Sequence, residues 1–223
     1  MSRNKPKTKV KTAKGRKNSS TRWLNRQLND PYIAEAEKYG YRGRAAFKLK
    51  EIDEKLKCLK PGATIIDLGA APGGWCQIAT EKGCKVIAID LLPMDEMADV
   101  VTFEMDFMDD DAPDVLKEEL QKTSADGLAD IVMSDMAPNT TGHKQTDHIR
   151  IMAVVEAAYY FACEVLKDDG VFIAKVFQGG AQSDLLKEMK KTFKTVKHVK
   201  PPASRKESAE QYLVATGFKG KEA

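Results

Sequence analysis

The sequence predicts an α/β fold built on one open, mostly parallel sheet of Rossmann-like type. Three observations carry that expectation. Short apolar runs recur along the chain between longer segments with helical spacing, and such alternation implies parallel strands covered by helices on both faces. The first of these runs ends in a loop crowded with small residues, "DLGAAPGGW" at 67–75, where open parallel sheets bind their ligands. The last run, "EQYLVATGF", has no helix after it, and the preceding "FKTVKHVK" can fold back beside it as an antiparallel hairpin.

The elements follow in order. "DPYIAEAEKYGYRGRAAFKLKEIDEKLKCLKPG" reads as two helical stretches, the second with Ala45, Leu49, Ile52 and Leu56 on one stripe and closed by Pro61 and Gly62. Strands are expected at "ATIIDLG", "CKVIAIDLL", "VVTFE", "ADIVMSD", "GVFIAKVF" and "EQYLVATGF"; the returning "FKTVKHVK" makes seven. A helix should open near Trp75. The longest helix is "DHIRIMAVVEAAYYFACEVLKDDG", ended by Gly170 with Lys167 near its carboxyl end. There is no internal repeat and no sign of a second domain.

At 223 residues and 42 % apolar content the chain can bury one substantial core. No apolar run approaches the roughly 20 residues that span a bilayer, so a soluble, cytoplasmic protein without membrane partners is expected. Cys58, Cys76, Cys84 and Cys163 form no Cys-x-x-Cys pair, and His143, His148 and His198 are scattered, which implies reduced thiols and no metal site. The net charge of +3 hides a division. Residues 1–29 hold ten Lys or Arg and no acid, leaving 26 bases against 33 acids in residues 30–223. Residues 1–29 therefore read as a basic, unordered tail and 30–223 as a single domain. A positive tail on an acidic body points to a polyanion, with nucleic acid favoured over an anionic lipid surface because the tail has almost no apolar residues to insert.

Gly69, Gly73 and Gly74 remove side chains from the loop, so that its backbone can approach a ligand closely. The dinucleotide pattern G-x-G-x-x-G is absent, and Pro72 is atypical for cradling a pyrophosphate. Asp90 ends the second strand, where a carboxylate can accept both hydroxyls of a ribose, and Asp106 follows the third. Either aspartate alone could be a helix cap or a loop residue. Polar features at three successive strand ends are harder to assign to chance.

"DLGAAPGGW", "IDLLPMD", "VMSDMAPN" and "AKVFQG", in that order and spacing, resemble the FtsJ (RrmJ) family of S-adenosylmethionine-dependent ribose 2′-O-methyltransferases. The resemblance runs from about Trp23 to Gly217 and is strongest to bacterial members that act on a uridine of 23S ribosomal RNA. It implies the Rossmann-like methyltransferase sheet of seven strands, mostly parallel with the last antiparallel, and a monomeric enzyme acting on the assembled large subunit. It also implies S-adenosyl-L-methionine as cofactor, with contacts at Gly73 and Trp75, at Asp90 for the ribose, at Asp106 for the adenine and at Asp135 near the methionine end.

Methylating a ribose hydroxyl is a displacement in which the hydroxyl proton must leave as the bond to carbon forms, so a base or a cation is needed beside it. Lys175 interrupts the apolar strand "VFIAKVFQ"; burial of its ammonium favours the neutral amine and can lower it from about 10.4. The resemblance implies a tetrad of Lys48, Asp135, Lys175 and Glu210, with Lys175 deprotonating the 2′-hydroxyl, Asp135 and Lys48 setting its environment and Glu210 positioning. On the substrate side, Arg42, Arg44, Lys48 and Lys50 form one basic stretch, and Lys200, Arg205 and Lys206 another, that could face one cleft and bind phosphates. The family usually carries Ser where this chain has Gly43. Transfer RNA or an mRNA cap as substrate, or a non-catalytic RNA-binding assembly factor, are the alternatives.

Overall fold

The computed structural model describes residues 18–138, 141–177 and 183–220. Fourteen elements are described: α1 Asn18–Leu28, α2 Pro31–Tyr39, α3 Ala45–Leu56, β1 Thr64–Leu68, α4 Gly74–Glu81, β2 Lys85–Asp90, β3 Val100–Glu104, α5 Ala112–Thr123, β4 Ala129–Ser134, α6 Lys144–Val165, β5 Leu166–Phe177, α7 Ser183–Thr192, β6 Phe193–Val199 and β7 Glu210–Phe218. The strands form one sheet in the order β3-β2-β1-β4-β5-β7-β6. Neighbours from β3 to β5 are parallel, whereas β7 runs antiparallel to both β5 and β6. This is the architecture the apolar runs predict, including the closing hairpin.

The pleat sends alternate residues to opposite faces, and both faces are covered. Ile66, Leu68, Ile87 and Ile89 pack with Leu116 of α5, Tyr159 of α6 and Met189 of α7. Ile65, Val86 and Ala88 pack with Leu49 and Ile52 of α3 and Ile78 of α4. Every residue of β1 is buried, and the strand is apolar apart from Thr64 and Asp67.

Three boundaries differ from those expected. Helix α3 stops at Leu56 rather than at Pro61, because Lys57 turns into the left-handed region at φ 53° and donates its amide to Asp53 O at 2.7 Å. Helix α6 stops at Val165, not at Gly170, because Leu166 already pairs with Ala129 of β4. Gly170 serves the turn after it, where a Cβ would lie 2.7 Å from Lys167 O. Residues 18–28, counted in the unordered tail, form helix α1: "NSSTRWLNRQL" carries Leu24 and Leu28 one turn apart behind a Ser/Ser/Thr start. The rest of that tail, 1–17, lies outside the described residues.

Candidate active site

The strand order reverses between β1 and β4, and the carboxyl ends of β1, β2 and β4 open there into a cavity of about 630 Å³. Its wall includes Gly69, Ala71, Asp90, Asp106, Asp135 and Lys175. Asp90 is fixed by two main-chain amides, Ala71 N to Oδ2 and Leu92 N to Oδ1, each at 2.9 Å. Asp106 accepts from Met108 N at 2.9 Å. Each carboxylate oxygen has a second lone pair, so both groups keep acceptor capacity toward the cavity. Leu91, Met105 and Met108 give the same wall apolar surface.

The glycines of the first loop answer to protein neighbours as much as to a ligand. Gly69 has φ +78°, and a Cβ there would lie 2.5 Å from Met136 Cγ and 3.1 Å from its main chain. A Cβ on Gly74 would meet Ala46 N at 3.2 Å, so this glycine lets α4 approach α3. Gly73 and Trp75, expected at the cofactor, do not line the cavity wall. The Trp75 indole is buried, donates Nε1–H to Ala45 O at 2.9 Å and packs on Tyr212 with ring centroids 5.5 Å apart.

Four elements bring the expected tetrad together. Lys48 on α3 pairs with Glu210 at the start of β7, Nζ to Oε2 2.8 Å, and lies 3.7 Å from Asp135 Oδ2. Lys175 on β5 lies 3.1 Å from Asp135 Oδ1 and also donates to the Asp135 main-chain oxygen. The result is a contiguous chain, Glu210–Lys48–Asp135–Lys175, with its last two members at the cavity wall. Ser204 donates to Glu210 Oε1 at 2.7 Å, which holds the far end.

Tyr212 is a member of the site that motif reasoning missed. Its hydroxyl donates to Asp135 Oδ1 at 2.6 Å, and its ring lies under Lys48 Nζ at 5.7 Å. Strand periodicity holds the signal, since Tyr212 sits two residues after Glu210 on the same face of β7. Burial, then the charges of Asp135 and Glu210, push its phenol well above 10, so it remains a donor. Burial also pushes the Asp135 carboxyl up, but Lys175, Lys48 and the Tyr212 hydroxyl outweigh it and hold the group below its ordinary range. Arg150 of α6, also unremarked in the sequence, lines the same cavity.

The two basic stretches do meet. Asp30 lies between Arg44 Nε at 3.0 Å and Arg205 Nη2 at 3.2 Å, and Arg44 also donates to Ala203 O. Lys200 Nζ is turned onto its own loop, donating to Ser208 O at 2.6 Å. Lys50 sits over the rings of Tyr39 and Tyr41.

A doubly wound sheet with only β7 reversed, its cavity at the topological switch carrying carboxylates after β2, β3 and β4, defines a methyltransferase of the α/β class. A model of the FtsJ-like methyltransferase family matches residues 41–218, and the chain belongs to that family. It is 57 % identical over 220 residues, 95 % of this chain and 88 % of the other, to ribosomal RNA large subunit methyltransferase E of Paramagnetospirillum magneticum. The protein of that name from Gluconobacter oxydans is 58 % identical over 211 residues, 94 % of this chain and 77 % of its own. Among solved structures, a ribosomal RNA methyltransferase of Plasmodium falciparum superposes with a TM-score of 0.71 at 31 % identity, covering 81 % of this chain and 100 % of that one.

Proposed function

We propose that this enzyme methylates the 2′-hydroxyl of a uridine ribose in 23S ribosomal RNA within the large ribosomal subunit, using S-adenosyl-L-methionine. The single observation that carries the reading is the placement of Lys175, held by Asp135 at the wall of the cavity that also presents Asp90 and Asp106. The names of the relatives supply the substrate class.

The donor set fits an adenosyl cofactor: two anchored carboxylates with spare lone pairs suit ribose hydroxyls and an exocyclic amine, and Leu91, Met105 and Met108 suit a flat heterocycle. Asp90 would hold the ribose, Asp106 the adenine, and Asp135 would face the methionine end. Gly73, whose amide donates to Ala70 O at 2.7 Å, and Trp75, whose indole is committed to Ala45, would support the cofactor loop from behind the cavity wall. When bound, the cofactor supplies a methyl group activated by a positively charged sulfur.

The protein's part is alignment and removal of one proton. Lys175 Nζ would accept the 2′-hydroxyl proton as the ribose oxygen takes the methyl group that the cofactor supplies. Asp135 orients that amine from two sides, by carboxylate and by main chain. Lys48 draws on the same carboxylate and is itself balanced by Glu210, so Lys175 does not hold Asp135 alone.

Large subunits from a strain lacking this gene, incubated with the protein and methyl-labelled S-adenosylmethionine, should gain label on one ribose of 23S RNA. Lys175→Ala should abolish labelling while cofactor affinity stays within a few fold. Lys175→Arg should fail as well, since a guanidinium does not give up its proton near neutral pH. Turnover by Lys175→Ala, or label on transfer RNA instead, would sink the proposal.

A further inference from the structure

Arg42 belongs to the basic stretch expected to meet RNA, but its guanidinium is turned onto two neighbouring loops. Nη1 donates to the main-chain oxygens of Pro72 at 3.2 Å and Asp95 at 3.0 Å, and Nη2 donates to Glu96 O at 3.1 Å. Pro72 lies in the loop between β1 and α4. Asp95 and Glu96 lie in the loop that leaves β2 after Asp90. One side chain thus ties together the two loops that bring Ala71, Asp90 and Leu91 to the cavity wall.

The main chain of Arg42 is equally fixed. Its amide donates to Gln77 Oε1 at 2.7 Å, and Gln77 Nε2 donates to Gly40 O at 3.0 Å, so α4 grips the backbone from which the guanidinium reaches over. Gly73 completes the arrangement. A Cβ at that position would lie 2.8 Å from Arg42 Nη1 and 3.1 Å from Met94 Cε, so the missing side chain is the space in which the guanidinium sits.

We propose that Arg42 is a positioning residue for the cofactor pocket, fixing the β1–α4 and β2–β3 loops against each other, and not a phosphate contact. The inference rests on reading that pocket as an S-adenosylmethionine site. Only arginine presents a planar fork that serves three carbonyls at once; a lysine in its place is a single point of attachment on a flexible stem. With the fork gone, the loops keep their sequence but lose their mutual register, and the cofactor must order them at its own cost.

The test compares Arg42→Ala and Arg42→Lys with the unaltered protein in calorimetric binding of S-adenosylmethionine, KM for each substrate, and the salt dependence of binding to 23S RNA. Both variants should bind S-adenosylmethionine about tenfold more weakly or worse, with KM for RNA and the salt slope unchanged. Low-millimolar guanidinium should restore part of the cofactor affinity of Arg42→Ala and do nothing for the unaltered protein. Unchanged cofactor affinity, with RNA binding weakened and the slope of log K against log salt shallower by about one, would make Arg42 a phosphate contact and overturn the inference. An equal rise in both KM values would overturn it too, as general destabilisation. If the unaltered protein fails to bind S-adenosylmethionine, the pocket reading falls first, and this inference with it.

Discussion

Asp67 of β1 and Asp135, just past the neighbouring β4, are shifted in opposite directions by their surroundings. Asp135, one residue past β4, meets two ammonium groups and a phenol and stays ionised. Asp67, in the middle of β1, is fully buried, accepts only from Cys76 Sγ at 3.2 Å through Oδ2, and leaves Oδ1 without a hydrogen bond. Burial is the main reason that its carboxyl is pushed up to about 7, and the charges of Asp135 and Asp90 add to it. The sign for stability follows. An unfolded Asp67 titrates near 3.8, so between that pH and about 7 the folded chain holds a proton that the unfolded chain has released. Stability from this group is therefore present at low pH and lost as pH rises through the window, at up to about 1.4 kcal/mol per pH unit. Urea unfolding of Asp67→Asn at pH 5 and pH 7 should show a smaller decline with pH than the parent protein. Equal declines would mean that Asp67 is ionised in the fold.

At the scale of elements, Asp30 joins pieces far apart in the chain. It caps α2 through Tyr32 N at 3.1 Å and holds Arg44 ahead of α3 and Arg205 of the loop before β7 with a side chain only 6 % exposed. Asp30→Ala should therefore cost about 2–4 kcal/mol in chemical unfolding, above the roughly 1 kcal/mol of an ordinary cap, because two guanidiniums lose their partner. A loss near 1 kcal/mol would show that those pairs contribute nothing. Strands were legible in the sequence because central parallel strands are mostly apolar; Ile65, Ile66 and Leu68 leave little choice. Helix ends were not. Lys57 and Leu166 close α3 and α6 through a hydrogen bond and a strand pairing that composition does not encode. The site shows the same limit. Asp135 and Lys175 lie in the strand-end motifs and Lys48 and Glu210 followed from the family resemblance, whereas the docking of Arg42 onto neighbouring loops depends on carbonyls 30 and more positions away. A basic residue in a basic stretch looks like a phosphate contact until its acceptors are known.

The whole molecule is electrostatically two-sided. Residues 1–17 alone carry eight of the 36 Lys and Arg, and the domain beyond residue 29 has more acids than bases. An acidic body is repelled by RNA phosphates at long range, and its cationic cleft is largely occupied: Arg44 and Arg205 by Asp30, Lys48 by Glu210, Lys200 by its own loop. We propose that most of the counterion release on binding RNA comes from residues 1–17, which lack acids altogether. Deleting 1–17 should weaken binding to 23S RNA and flatten the slope of log K against log salt by about 0.7–0.9 for each phosphate that the tail had neutralised, several in all. Binding of S-adenosylmethionine should not move, because the cavity residues lie between 69 and 175. Titrations of RNA at several salt concentrations, beside calorimetry of the cofactor, separate the two effects. A slope unchanged by the deletion would assign phosphate binding to the domain itself, and the paired arginines around Asp30 would then have to open toward RNA when it binds.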